Sequence, residues 1–218
     1  MRTPLTLLSG VMAVLPDHNV NTDSIIPSAW LRSATADLAR GLFGARRFDE
    51  SGRERPDFVL NQRPFRDAKF LLAGENFGCG SSREAAVWAL ARFGIRCVFA
   101  PAFADIFYEN AFRNGVLAGL VDETTWLALA AAVERHRDAP LFHVDLPAAT
   151  ITDPDGIRHG FTVPAGRAEA LIRGDDEIDL TLRHIDEIKR FLDTATAERG
   201  WLYRSPLDGP LEPQRTTP

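Results

Sequence analysis

One run, Lys69 to Val121, constrains this chain more than any other. KFLLAG (69–74), IRCVFA (95–100) and VLAGLV (116–121) are short, continuous apolar segments. Between them lie two segments of helical period, REAAVWALARF (83–93) and AFADIFYENAFRN (102–114), each stopped by a glycine, Gly94 and Gly115. Strand–helix–strand–helix–strand predicts parallel strands joined by right-handed crossovers. A glycine just past the last periodic residue is the usual end of a helix.

The flanks are read against that core. Residues 5–15 predict a first strand, and 16–31 are turn-rich and then apolar. Residues 32–66 carry much local charge together with Pro56 and Pro64, and predict a long excursion outside the core. A helix is expected over 123–138 and a β-hairpin region over 141–163, around the Asp153-Pro154-Asp155-Gly156 turn. Shorter helices follow at 165–173 and 185–199. Residues 1–202 are expected to form a single domain. The tail 203–218, with four prolines and few apolar residues, is expected to be disordered.

Composition excludes several classes. With 218 residues, 45% hydrophobic and 25% charged, the chain is globular in character. No stretch approaches the ~20 apolar residues that cross a bilayer. The apolar start is interrupted by Pro4, Thr6, Ser9 and Gly10, which reads as a strand rather than a signal peptide and places the chain in the cytoplasm. Its basic residues, 23 Arg and two Lys, are interleaved with acids at a net charge of −5 and form no basic stripe, so nucleic acid is not an expected partner. Cys79 and Cys97 make neither a disulfide framework nor a complete metal site.

The chemistry concentrates in GENFGCGSSRE (74–84), the turn between the first apolar run and its helix. Its glycines permit a turn too tight for side chains. Ser81 and Ser82 stand where the helix begins, near the unpaired amides and the positive end of the helix dipole. Arg83 can grip a carboxylate with two parallel hydrogen bonds. The phosphate-loop and dinucleotide-loop patterns both fail, the first for want of a lysine and the second for want of a third glycine. The same residues also spell a capping box, with Ser81 as N-cap and Glu84 at the third helical position. Both readings stay open on the residues alone.

This segment and the following AVWALARFGIRCVFAPAFADIFYENAFRNGVL (residues 86–117, less Ala85) resemble the small subunits of 3-isopropylmalate dehydratase, in the aconitase superfamily. NTDSIIPSAWL (21–31), PDFVLN (56–61) and GDDEIDLTLRHIDEI (174–188) also resemble family segments, so the likeness spans about residues 16–188. It implies an α/β fold, the aconitase-type swivelling β/β/α domain, three-layered with a mostly parallel sheet core. The region 32–66 would be the excursion that selects the substrate's side chain.

The resemblance further implies a hydro-lyase of leucine biosynthesis, interconverting 2- and 3-isopropylmalate by loss and return of water. Ser81 would be the base, with Ser82 and Asp23 beside it; Arg83, and with it Arg32, would bind substrate carboxylate. The chain itself would hold no cofactor. A large-subunit partner would carry a 4Fe–4S cluster and complete a heterodimer around a dicarboxylate. Two positions depart from the family pattern, Ala85 in place of a histidine and Asn21 in place of an aspartate. They leave open a related hydro-lyase on another substituted malate, of homoaconitase or methylmalate type. A carboxylate-binding module without chemistry is the reading from a different class.

Overall fold

The apolar runs become neighbouring strands. In this computed structural model, which describes residues 3–32 and 35–203, β1 (Leu7–Leu15), β2 (Ala68–Ala73), β3 (Cys97–Ala100) and β4 (Leu117–Leu120) lie parallel in the order β4-β3-β2-β1. Three one-turn helices, α1 (Thr22–Ile25), α2 (Leu38–Gly41) and α3 (Gly44–Arg47), lie between β1 and β2. α4 (Glu84–Phe93) joins β2 to β3, and α5 (Asp105–Arg113) joins β3 to β4. Gly94 ends α4 in the left-handed conformation, as its position predicts.

All three crossovers step the same way across the sheet, so a right-handed path puts their helices on one face. α6 (Glu123–Arg135) then carries the chain back along β1 and β2. Its Trp126 indole N–H donates to the Ala73 carbonyl at 2.7 Å. With both faces covered, every residue of β3 is buried. The result is the expected three-layered α/β domain.

Beyond β1 the sheet continues antiparallel through β5 (Leu141–Asp145), β6 (Thr150–Thr152) and β7 (Arg158–Gly160). The 141–163 region is thus two hairpins, and the Asp153–Gly156 turn makes the second. Asp153 accepts from the amides of Asp155 and Ile157, and from His159 Nε2 at 3.0 Å. α7 (Ala165–Arg173) follows, and the Leu5 amide donates to its Leu171 carbonyl.

The excursion departs from expectation. It was read as lying outside the core, yet Leu42, Phe43, Leu60 and Phe65 are fully buried in the main apolar cluster. Arg47 holds it in place. Its Nε donates to Asn61 Oδ1 at 3.0 Å, and Asn61 Nδ2 returns a bond to the Arg47 carbonyl at 2.7 Å. A buried guanidinium is tolerated because these bonds, and one to the Ala39 carbonyl, satisfy it. Desolvation still lowers its pKa.

The described residues divide into two compact units, one up to Asp176 and the second from Glu177. The second contains α8 (Glu177–Leu182), which sequence reading did not predict, and α9 (Ile185–Glu198). The expectation of a disordered tail falls on residues 203–218, of which only 203 is among the described residues. No helix among the described residues is long and apolar enough to cross a membrane.

Candidate active site

The loops that leave the carboxyl ends of β1, β2 and β3 meet at one edge of the sheet. In open parallel sheets this edge is where ligands bind. The loop after β2 is clamped between the other two. The Asn19 amide donates to the Glu75 carbonyl, and the Gly78 amide to the Val20 carbonyl at 2.8 Å. On the far side the Phe77 amide donates to Ala102, and Phe77 accepts from Ala104. Isolated parallel bridges at Asn21–Cys79 and Phe77–Phe103 extend the sheet into its own loops.

Gly78 is required here. Its φ is +81°, and a Cβ on it would lie 2.2 Å from Cγ of Phe107. The chain crosses the Phe107 ring with only a hydrogen between them. Two residues later Gly80 also has a positive φ, +84°. The chain then emerges with Ser81 and Ser82 exposed, and Arg83 half-buried.

The capping box, one of the two readings the residues allow, does not form. α4 begins at Glu84 with Arg83 as its N-cap residue, and no side chain caps it. Ser81 lies two residues too early. Its carbonyl accepts from Thr22 Oγ1 at 2.7 Å. Arg83 is drawn the other way. Its Nη1 meets Asp23 Oδ1 at 2.5 Å and reaches toward the Ile26 carbonyl at 3.4 Å. The amino end of α4 therefore keeps its first amides free of side-chain caps, next to two exposed hydroxyls.

Of the residues named from sequence, Ser81, Ser82, Arg83 and Asp23 come together. Arg32 does not join them. It ends the short turn Ser28–Leu31, is exposed, and makes no hydrogen bond or ion pair among the described residues. Asn21 caps α1, accepting from the Ser24 amide at 2.8 Å, a role aspartate and asparagine fill equally well. Ala85 faces the core cluster. Sequence reading missed Thr22, which is 2% exposed beneath the loop; a threonine in a turn-rich stretch carries no mark of its own.

The excursion contributes a groove of about 570 Å³ walled by Pro27, Trp30, Arg40, Phe48 and Arg55. Pro27 directly follows the residue whose carbonyl faces Arg83. The Arg40 guanidinium lies over the Phe48 ring, 5.4 Å from its centre.

The aconitase C-terminal domain model matches residues 3–121. The 3-isopropylmalate dehydratase small subunit of Rhodospirillum centenum is 49% identical over 197 residues, 90% of this chain and 97% of that protein. The chain belongs to the aconitase C-terminal domain family, among the small subunits of 3-isopropylmalate dehydratase. A second relative of the same description, from Jannaschia sp., is 48% identical over 90% of this chain and 98% of its own length. The crystal structure of 3-isopropylmalate dehydratase (leuD) from Methanocaldococcus jannaschii shares the fold. It aligns with a TM-score of 0.60 and 26% identity, over 84% of this chain and 99% of that one.

Aconitase-family chemistry raises the question of an iron–sulfur cluster, which cysteine thiolates hold. The donors here do not fit one. Cys97 is buried in β3, where burial pushes its thiol far up. Cys79 sits in the glycine loop with its Sγ on the Asn19 carbonyl at 3.3 Å. Among the described residues no group of three or more His, Cys, Asp or Glu could hold a metal ion.

Proposed function

We propose that this chain is the small subunit of a 3-isopropylmalate dehydratase, a hydro-lyase that interconverts 2- and 3-isopropylmalate in leucine biosynthesis. The observation that carries the assignment is near-full-length kinship at 49% identity, with Ser81 and Ser82 exposed beside the Asp23–Arg83 pair at the carboxyl edge of the sheet. Neither departure from the family pattern strips a group from that site, since Asn21 caps and Ala85 packs.

The chemistry follows from where charge develops. Dehydration removes a proton from the carbon next to a carboxylate, and the carboxylate takes up the electron pair as that bond breaks. The hydroxyl leaves from the neighbouring carbon, and a double bond forms. Return of proton and hydroxyl to exchanged carbons gives the isomer. Ser81 takes and returns the proton through its hydroxyl oxygen. Arg83 and the free amides at the start of α4 stabilise both the serine alkoxide and the substrate carboxylate. Ser82 donates a further hydrogen bond. Asp23 fixes the guanidinium. The groove beside Trp30 receives the branched side chain. Arg32 is a second carboxylate contact supplied from the excursion.

The departing hydroxyl needs a Lewis acid. That acid would come from a 4Fe–4S cluster held by a large-subunit partner, and the enzyme would then work as a heterodimer in the cytoplasm. Reconstitution with a large subunit tests the reading. Ser81→Ala should lower kcat by at least a thousandfold while KM changes little. Full turnover by Ser81→Ala, or turnover by this chain alone, would overturn it.

A further inference from the structure

Ser81 has an awkward place from which to move a proton. It follows two glycines of positive φ, Gly78 and Gly80, so little in the loop itself fixes its direction. It is exposed, and no cap bond ties it to α4. A base must nevertheless sit within hydrogen-bond reach of one particular C–H, and a misplacement of about 1 Å can cost a hundredfold in rate. Something outside the loop has to hold it.

We infer that Thr22 is the positioning residue for Ser81. Its Oγ1 donates to the Ser81 carbonyl at 2.7 Å, and it is the one donor to that carbonyl among the described residues. The Thr22 amide donates to the Cys79 carbonyl at 2.9 Å, so one residue grips the loop at both 79 and 81. Thr22 is itself buried and bonded. It is 2% exposed, and its own carbonyl accepts from the Ile26 amide in the single turn of α1. The next residue, Asp23, holds Arg83. Successive side chains of one short turn thus hold the serine by its backbone and the arginine by its guanidinium, which fixes the spacing between base and carboxylate grip. Thr22 acts through Ser81 and touches no substrate.

This inference rests on the function proposed above, and the experiment separates the two. In the enzyme reconstituted with its large subunit, Thr22→Val keeps the shape and removes the donor. It should lower kcat ten- to a hundredfold with KM within about threefold of wild type. Thr22→Ser keeps the donor and loses the methyl group, and should retain kcat within about threefold. Amide hydrogen exchange of the full chain should show the residue-22 amide, which donates to the Cys79 carbonyl, opening faster in Thr22→Val than in Thr22→Ser. Equal kcat for Thr22→Val and wild type, or a Thr22→Ser enzyme as slow as Thr22→Val, would overturn the role. If Thr22→Val does not fold, the kcat of Thr22→Ser and its exchange at residue 22 decide the matter. If the wild-type pair turns over no isopropylmalate, the proposed function fails instead, and unchanged exchange at residue 22 in Thr22→Val would still dismiss the contact.

Discussion

Gly78→Ala tests whether the loop's shape comes from contact with α5 or from backbone freedom alone. Two costs apply at this position. A left-handed backbone costs a non-glycine residue roughly 1–2 kcal/mol. The new methyl would also stand 2.2 Å from Cγ and 2.5 Å from Cβ of Phe107. That ring cannot swing aside. It is 2% exposed, meets Phe77 edge-on at 5.2 Å and stacks against Phe103 at 6.1 Å. Overpacking of this kind costs about 1–3 kcal/mol. Against both stands about 0.4–1 kcal/mol gained by restricting the unfolded chain. The net expectation is a loss of about 3 kcal/mol.

Gly80→Ala is the control. Its φ is +84°, but the nearest atom to the added Cβ is Cβ of Asn21 at 3.3 Å. Only the backbone cost remains, so the loss should be about 1 kcal/mol. Urea unfolding of both variants, followed by circular dichroism, should shift the midpoint in that order with an unchanged slope. A double-mutant cycle with Phe107→Ala adds a second check: deleting the ring removes the 2.2 Å contact to Cγ but keeps Cβ at 2.5 Å, so the clash is relieved in part and the combined loss should be smaller than the sum of the two single losses. Equal midpoints for Gly78→Ala and Gly80→Ala would refute the steric argument, as would full additivity with Phe107→Ala.

Two further predictions concern titration and thiol chemistry. A thiol reagent should modify Cys79 in the native chain and reach Cys97 only after denaturation, because Cys79 is partly exposed while Cys97 is buried with its thiol pushed up by desolvation; labelling of both at one rate would contradict this. The Asp155 carboxyl is held below its ordinary value of 3.8 by hydrogen bonds from Arg135 first and His136 second. A depressed carboxylate contributes stability that is present above the unfolded-state pKa and lost as pH falls through the folded-state value. The unfolding midpoints of wild type and Asp155→Asn should therefore differ above about pH 5 and converge only as pH falls below the ordinary carboxylate range, and a gap independent of pH would dismiss the pair's contribution.

The parallel core was legible in the sequence because its pattern is local. The first two apolar runs end at Gly74 and Pro101 and the third at Asp122, and each helix shows its period over ten residues or so. The excursion was misread for the opposite reason. Leu42, Phe43 and Phe58 are scattered among one-turn helices, where no periodicity can develop, and they become core only when Arg47 and Asn61 close over them. The serine loop was legible in its residues but not in its geometry. Ser81-x-x-Glu84 satisfies the capping pattern, yet the contacts that move the helix start to Glu84 come from Thr22, Asp23 and Ile26, some 60 positions away. The glycines could be read as a tight turn; that one of them lies on Phe107 could not.

The charge at the site explains why a second chain belongs to the proposed enzyme. Isopropylmalate is a dianion, and proton removal concentrates more negative charge on one of its carboxylates. Against this the described surface offers Arg83, already paired with Asp23 at 2.5 Å, while Arg40 and Arg55 of the groove are matched by Asp49 and Glu50 in the same wall. The Arg83–Asp23 pair sums to zero. Asp23 is half-exposed and so neutralises its partner only partly, and the free amides of α4 add a fraction of a charge. Both contacts of Arg83 run through Nη1, which leaves its other edge for a bidentate grip on one carboxylate. The second carboxylate and the developing charge exceed what these groups can balance. Even with Arg32 as a second carboxylate contact, the sum falls short of the charge at the transition state. The deficit is of the size that a cationic partner surface would fill, and it supports a site that binds weakly here and acts only when closed.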